Sequence, residues 1–284
     1  MDTATDDAGA RPPRDRADAE QVEAECLYAF ESGAPDEVKD ELGIATHRLA
    51  GGVVLAMRHD PAGGYWNKAL GFGITEPFTA EVAQTVIDTW RDHGTATGTL
   101  QVAPTALPAD WSEVAPRLGL APGSSWVKLL RDPSPAPPAS TDLRVGEVTE
   151  ESALEWADVF CTGFGMPVGP LSRMLAAVVG HAGFHPFAAW DGDRVVAGAN
   201  LFLDGDRASF CGAATLVEAR GRGAQSRFFV ERVETARRAG GRVMVAETWA
   251  EGEGQRNPSL HNLRRAGFRD AYLRQNWVWR APSA

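Results

Sequence analysis

The chain has 284 residues, 44% hydrophobic and 23% charged, an ordinary globular composition with apolar material for a sizeable core. Its formal charge of −10 argues against a nucleic-acid partner, and no apolar run approaches the roughly 18 residues of a membrane span. Three separated cysteines (Cys26, Cys161, Cys211) make neither a disulfide framework nor a zinc knuckle, and MDTATDDAGARPPRDRADAE has no apolar stretch of the secretory type, so a cytoplasmic protein without a metal site is expected.

Residues 1–19 are polar and proline-bearing, and are expected to form a disordered tail. Residues 20–131 read as a first domain. GGVVLAMRHDP and YWNKALGFGI look like paired strands, and EPFTAEVAQTVIDTWRDHG like a helix stopped by Gly94. A strand (GTLQVAP), a short helix over 111–118 stopped by Gly119, and a strand (SSWVKLLRD) follow. DPSPAPPAST, residues 132–141, has four prolines and reads as a semi-rigid linker.

Residues 142–284 read as a second domain. LRVGEV alternates like a strand, Ser152 is placed to cap a helix carrying Trp156 and Phe160, and a second helix spans 171–179. FHPFAAW, VVAGANLFL and ASFCGAATL, joined by acidic-glycine turns, predict an antiparallel meander. A helix over 224–239, a strand (RVMVAET), a short helix over 260–266 and a last strand (YLRQNWVWR) complete the order. The first domain echoes this order, which suggests an internal repeat without the glycine-rich turn. Charge divides unevenly: from residue 141 onward 17 basic and 17 acidic residues balance, so the whole excess lies earlier, where it reads as solvated surface.

The chemistry concentrates in VEARGRGAQS, residues 217–226. Gly221 and Gly223 allow backbone angles closed to other residues, and the helix that follows leaves its first N–H groups unpaired. That combination suits phosphate or diphosphate. A P-loop is excluded because no lysine lies beyond residue 128, and a dinucleotide fingerprint lacks its third glycine.

Arg220-Gly221-Arg222-Gly223-Ala224-Gln225 resembles the Arg/Gln-x-x-Gly-x-Gly/Ala motif of the GNAT superfamily of acyl-CoA-dependent N-acyltransferases, departing from it at Gln225. The segment NPSLHNLRRAGF resembles that family's second signature. The resemblance implies an α+β fold of two GNAT-like modules, the first degenerate, each a mixed, mostly antiparallel sheet flanked by helices. It implies acetyl-CoA or a related acyl-CoA as co-substrate, with a small-molecule or protein amine as acceptor. The diphosphate would rest on Arg220 and on Arg222, Gly223, Ala224, Gln225 and Ser226, and the pantetheine along Thr215, Leu216 and Val217. Asn257 and Asn262 would stand near the cofactor arm, and the first module would support the fold, the acceptor pocket or a homodimer. O-acyl transfer, other acyl-CoA chemistry and a silent CoA-binding protein are the alternatives.

Three side chains are candidates for catalysis. Glu247 ends the apolar run VMVA, where partial burial would raise its pKa and suit it to take an ammonium proton, although an exposed strand-end acid would look the same. The family's tyrosine position holds Leu263, so the role of thiolate acid is either vacant, with direct transfer and no protein acid, or moved to Ser259, Tyr272 or His261. Asn257 and Ser259 could equally be helix caps. Cys211 reads as a packed thiol, Glu218 as a turn acid, and Trp66, Trp126, Trp156, Trp277 and Trp279 as core or domain-interface residues, while Trp249 could line the acceptor pocket.

Overall fold

A computed structural model describes residues 14–282. The twelve strands are β1 (Ile44–Leu49), β2 (Gly52–Met57), β3 (Lys68–Leu70), β4 (Thr97–Gln101), β5 (Leu120–Arg131), β6 (Arg144–Glu147), β7 (Phe184–Asp191), β8 (Arg194–Asp204), β9 (Arg207–Ser209), β10 (Ala213–Thr215), β11 (Val243–Trp249) and β12 (Arg269–Arg280). They form one sheet in the order β1-β2-β3-β4-β12-β5-β11-β9-β8-β7-β6, with β10 on β8. Only β3–β4 and β9–β11 are parallel. The mixed, mostly antiparallel α+β character matches the expectation. The expectation of one sheet per module does not hold, because the sheet is continuous.

The reason lies in the last strand of each half. β5 ends the first half but lies between β12 and β11, while β12 ends the second half but lies between β4 and β5. Each half thus lends its last strand to the other. Lys128 of β5 is flanked by Glu247 on β11 and Tyr272 on β12.

Helices cover both faces. α1 (Arg14–Ser32), α5 (Ala153–Phe164) and α6 (Pro170–Ala176) share one core with Val53, Leu55 and Met57 of β2 and Val243 and Val245 of β11. On the other face α3 (Ala80–Asp92) and α4 (Trp111–Arg117) pack under the first half, and α7 (Ala224–Arg238) and α8 (Pro258–Arg265) under the second. Burial on both faces explains why β2 reads as an uninterrupted apolar run. α2 (Asp36–Leu42) lies near α6. Glycines with positive φ stop the chain after α3 (Gly94), α4 (Gly119) and α8 (Gly267), as the sequence suggested.

Two expectations fail locally. Residues 14–19, assigned to the tail, open α1; residues 1–13 lie outside the described range. Arg242 holds that first turn through Asp15 at 2.6 Å and through Asp18. The meander's third strand is broken into β9 and β10, and the break makes the site. No helix of the described residues is long and apolar enough to cross a membrane.

Candidate functional site

β9 follows β11 in parallel as far as Ser209 beside Val245, and the Phe210 N–H donates to the Val245 carbonyl at 2.8 Å. The chain then turns at Gly212, whose φ is +90° and where a Cβ would stand 2.4 Å from the Phe160 ring. Beyond the turn β10 continues on β8 alone, and Ala246–Trp249 pair with β5 alone. The facing edges of β10 and β11 part, and a cavity of about 500 Å³ lies there. Arg232 of α7 pins the divergence: its Nη1 donates to the carbonyls of Asn200 and Gly212 at 3.3 and 3.4 Å, and its guanidinium lies over Phe210 and Phe229. Burial lowers its pKa to about 9. Nothing in the sequence marked Arg232, which reads as an ordinary helix arginine.

At one end of the splay sits the glycine turn. Gly221 and Gly223 have φ of +81° and +87°, and α7 begins at Ala224. The first intrahelical bond is Arg227 N–H to Gly223 O, and among the described residues no side chain caps the helix, so the N–H groups of Ala224, Gln225 and Ser226 are uncommitted. The space beside Gly221 is open, while a Cβ on Gly223 would fall 2.3 Å from Ser140 O, so the proline-rich connection backs the turn. The corresponding helix of the first half, α3, is capped by Thr79, whose hydroxyl accepts from Val82 N–H. That difference leaves only α7 with a bare start of the two.

The backbone of the turn therefore fits a diphosphate, but its side chains are used otherwise than expected. Arg222 is held by Asp142 and Asp191, each at 2.6 Å, and these bonds hold its pKa up. Arg220 donates to Thr215 O at 3.3 Å. Gln225 lines the cavity and donates to Thr215 Oγ1 at 2.9 Å. Leu216 packs against the core, and Val217 is exposed.

On the α1 side lies a buried cluster of three carboxylates and two cations. Arg274 Nη1 and Nη2 each donate to Glu23 at 2.8 Å, and Nη1 also donates to Glu20 at 2.8 Å. Lys128 Nζ donates to Glu23 and to Glu247 at 3.2 Å, and Arg274 also donates to Glu247. Arg274, Lys128 and Glu20 are almost wholly buried, whereas the Glu247 side chain keeps 17% exposure and lines the cavity. Burial, reinforced by Glu23, raises the Glu247 pKa against the pull of Lys128 and Arg274. Burial would also raise Glu23, but Arg274 and Lys128 outweigh it and hold that carboxyl well below its ordinary value. Two neighbouring buried acids are thus shifted apart, Glu23 downward by its cations and Glu247 upward by burial. Only Glu247 of this cluster was anticipated. Lys128 and Arg274 stand as charges within strand-like runs, but nothing local in the sequence pairs them with Glu247.

The other anticipated residues divide. Ser259 and Asn262 line the cavity, as does Trp249. Asn257 is a helix cap: its Oδ1 accepts from Ser259 and Leu260 N–H, and its Nδ2 donates to Thr248 Oγ1 and Trp249 O. No polar atom of that side chain is left for a cofactor. Tyr272 does not line the cavity; its hydroxyl donates to Glu20, and burial, then Glu20, drive its pKa far up. His261 meets Glu251 at 2.9 Å, and Glu218 meets Arg194 on the surface. Trp66 is buried in the core it was expected in, and both Trp66 and Trp126 also border the cavity. Among the described residues no cluster of His, Cys, Asp or Glu is arranged to hold a metal ion.

No family model matches the chain, and no curated protein matches it. Solved structures do. A GCN5-related N-acetyltransferase from Kribbella flavida superposes with a TM-score of 0.55 at 16% identity, over 93% of this chain and 96% of that one. A GCN5-related N-acetyltransferase from Sphaerobacter thermophilus gives 0.56 at 13% identity, over 96% of both chains. A tandem GNAT protein from the clavulanic acid biosynthesis pathway gives 0.55 at 15% identity, over 97% and 98%. At these identities the likeness shows a shared fold across nearly the whole chain.

Proposed function

We propose that the protein is an acyltransferase that moves an acetyl or related acyl group from acyl-CoA to an amine. One observation carries this reading: a parted strand edge lies between an uncapped helix start, whose Gln225 reaches the cavity, and a carboxylate of raised pKa that lines it. The amides of residues 222–226 would hold the diphosphate, and the free edge of β10 at Thr215 would hold the pantetheine arm. Gln225 must swing away from Thr215 for that arm to enter. Acyl-CoA, when bound, supplies the thioester carbon that the amine attacks and the thiolate that departs.

The chain's own groups do the rest. An amine arrives as ammonium and is inert until it loses a proton. Glu247 takes that proton at its carboxylate, and its raised pKa narrows the gap to the ammonium. Lys128 and Arg274 fix the orientation of the carboxylate and share its charge. Ser259, one of the hydroxyl-bearing residues that line the cavity, would give a proton to the departing sulfur. Tyr272, committed to Glu20, steadies the cluster from behind. Much of the acceleration would come from holding the two reactants together.

Calorimetry with acetyl-CoA, followed by thiol release over a panel of amines and alcohols, tests the reading. Binding followed by amine-dependent thiol release supports it. Binding without turnover would identify a CoA-binding protein, alcohol-dependent release an O-acyltransferase, and absence of binding would end the proposal.

A further inference from the structure

A second charge lines the same cavity and takes no part in the chemistry above. Lys68 stands on β3, is only 5% exposed, and borders the cavity. Its ammonium lies 4.0 Å from the centroid of the Tyr65 ring and 5.6 Å from that of Trp126. Among the described residues it makes no hydrogen bond, and no carboxylate comes within 4.0 Å of it. The other lysines differ: Lys39 pairs with Asp36, and Lys128 meets three carboxylates.

The acids that act on it, Glu31 and Asp60, do so from beyond 4.0 Å and make no direct pair with it. Burial, then Asp60, pushes the Glu31 carboxyl well above its ordinary pKa, against the pull of Lys68. Asp60 is turned to the backbone N–H groups of Ala62 and Trp66, at 2.8 and 2.9 Å. A buried ammonium without an anion is costly, and two aromatic faces offset only part of that cost. The cavity beside that ammonium leaves room for an anion to pair with it directly.

The opposite charge lies along the same wall. Glu23 and Phe30 both face the cavity from α1, seven residues and therefore about 10 Å apart along its axis. Phe30 packs edge-on against Trp66, whose chain continues to Lys68. Leu27 and Phe160 add apolar surface to the same wall. The cavity wall thus carries carboxylates, apolar side chains and Lys68.

We infer that the acceptor is an amine bearing a carboxylate, its ammonium at Glu247, its apolar body against Phe30 and Phe160, and its carboxylate on Lys68. Lys68 is then a specificity-determining residue. This inference rests on the acyl-transfer reading for its amine end and on the unpaired ammonium for its anionic end.

Matched probes separate the two. Phenylalanine is compared with phenethylamine, and aminocaproate with hexylamine, by thiol release from acetyl-CoA on the full chain. The carboxylate-bearing member should be preferred by about tenfold or more, expressed in KM. Lys68→Met should collapse that ratio towards one, and Lys68→Arg should restore part of it. Equal use of both members by the wild type, or a ratio unchanged in Lys68→Met, overturns the inference while leaving acyl transfer standing. If no amine is acylated, acyl transfer fails instead, and calorimetry with phenylpropionate decides the anion site. Binding to the wild type that Lys68→Met abolishes supports it, and no binding to the wild type overturns it.

Discussion

Replacing Glu247 with Gln should abolish most activity and yet leave the protein at least as stable. Glu20, Glu23 and Glu247 face Lys128 and Arg274, three formal negative charges against two positive. Glu247→Gln leaves two against two in nearly the same volume. The folded protein raises the pKa of Glu247, so the native state binds that proton more tightly than the unfolded chain. Stability is therefore lost as pH rises from the ordinary carboxylate value through the folded one, and the Gln variant escapes that loss. Its melting temperature at neutral pH should equal or exceed that of the wild type. Loss of a general base should lower kcat/KM by about 10²–10⁴-fold and remove the rising acid limb of the pH profile. Lys128→Met provides the contrast. It leaves three carboxylates against one cation in a buried site, a cost of about 3–5 kcal/mol, or on the order of 10 °C in melting temperature. Thermal melts and pH–rate profiles of the three proteins are the assay. Wild-type kcat/KM in the Gln variant, or equal destabilisation of both variants, would refute the argument.

Both turn glycines have positive φ, but only Gly223 abuts backbone, with Ser140 O 2.3 Å from a built Cβ. Gly223→Ala should therefore lower the melting temperature and acyl-CoA affinity more than Gly221→Ala, whose backbone strain alone is about 1–2 kcal/mol; equal effects would show that the proline-rich connection does not support the turn. Gln225→Ala removes the bond to Thr215 and should tighten acetyl-CoA binding in calorimetry, whereas a weaker complex would mean that Gln225 itself holds the ligand. Cutting an engineered protease site within 132–141 should leave the halves bound through the exchanged strands, so the nicked protein should elute as one species; two folded, separate halves would contradict the shared sheet.

The second half was legible because its elements follow simple rules. Its strands alternate or run apolar, its turns carry glycine, and α7 shows a clear buried stripe through Phe228, Phe229, Val233 and Ala236. α1 was missed for a physical reason. It buries Glu20, Glu23 and Glu31 beside Val22, Leu27 and Phe30, so its inward face does not look apolar. β1 escaped for a milder one, since IATHRL is an edge strand with no fully buried residue. Glu247 could be picked out because it ends an apolar strand. Its partners could not, because the pairing of Lys128 with Glu247 depends on a strand exchange that no local pattern encodes.

The uneven charge of the chain acquires a structural meaning from that exchange. The acidic excess of the first half read as solvated surface, but part of it is turned inward. Glu20 and Glu23 meet Arg274, Asp15 and Asp18 meet Arg242, and Glu41 meets Arg173, each an acid of the first half against an arginine of the second. The exposed pairs contribute little each, but they share one direction and act together with a continuous sheet. The buried ones decide the site. Lys128 arrives from β5, Arg274 from β12, and Glu23 from α1, so the carboxylate on β11 is surrounded by groups that its own half does not fully supply. The second half alone would keep the glycine turn and lose the lysine and the acids that set the state of Glu247. Without its phosphate turn, the first half acts as the other wall of a single site.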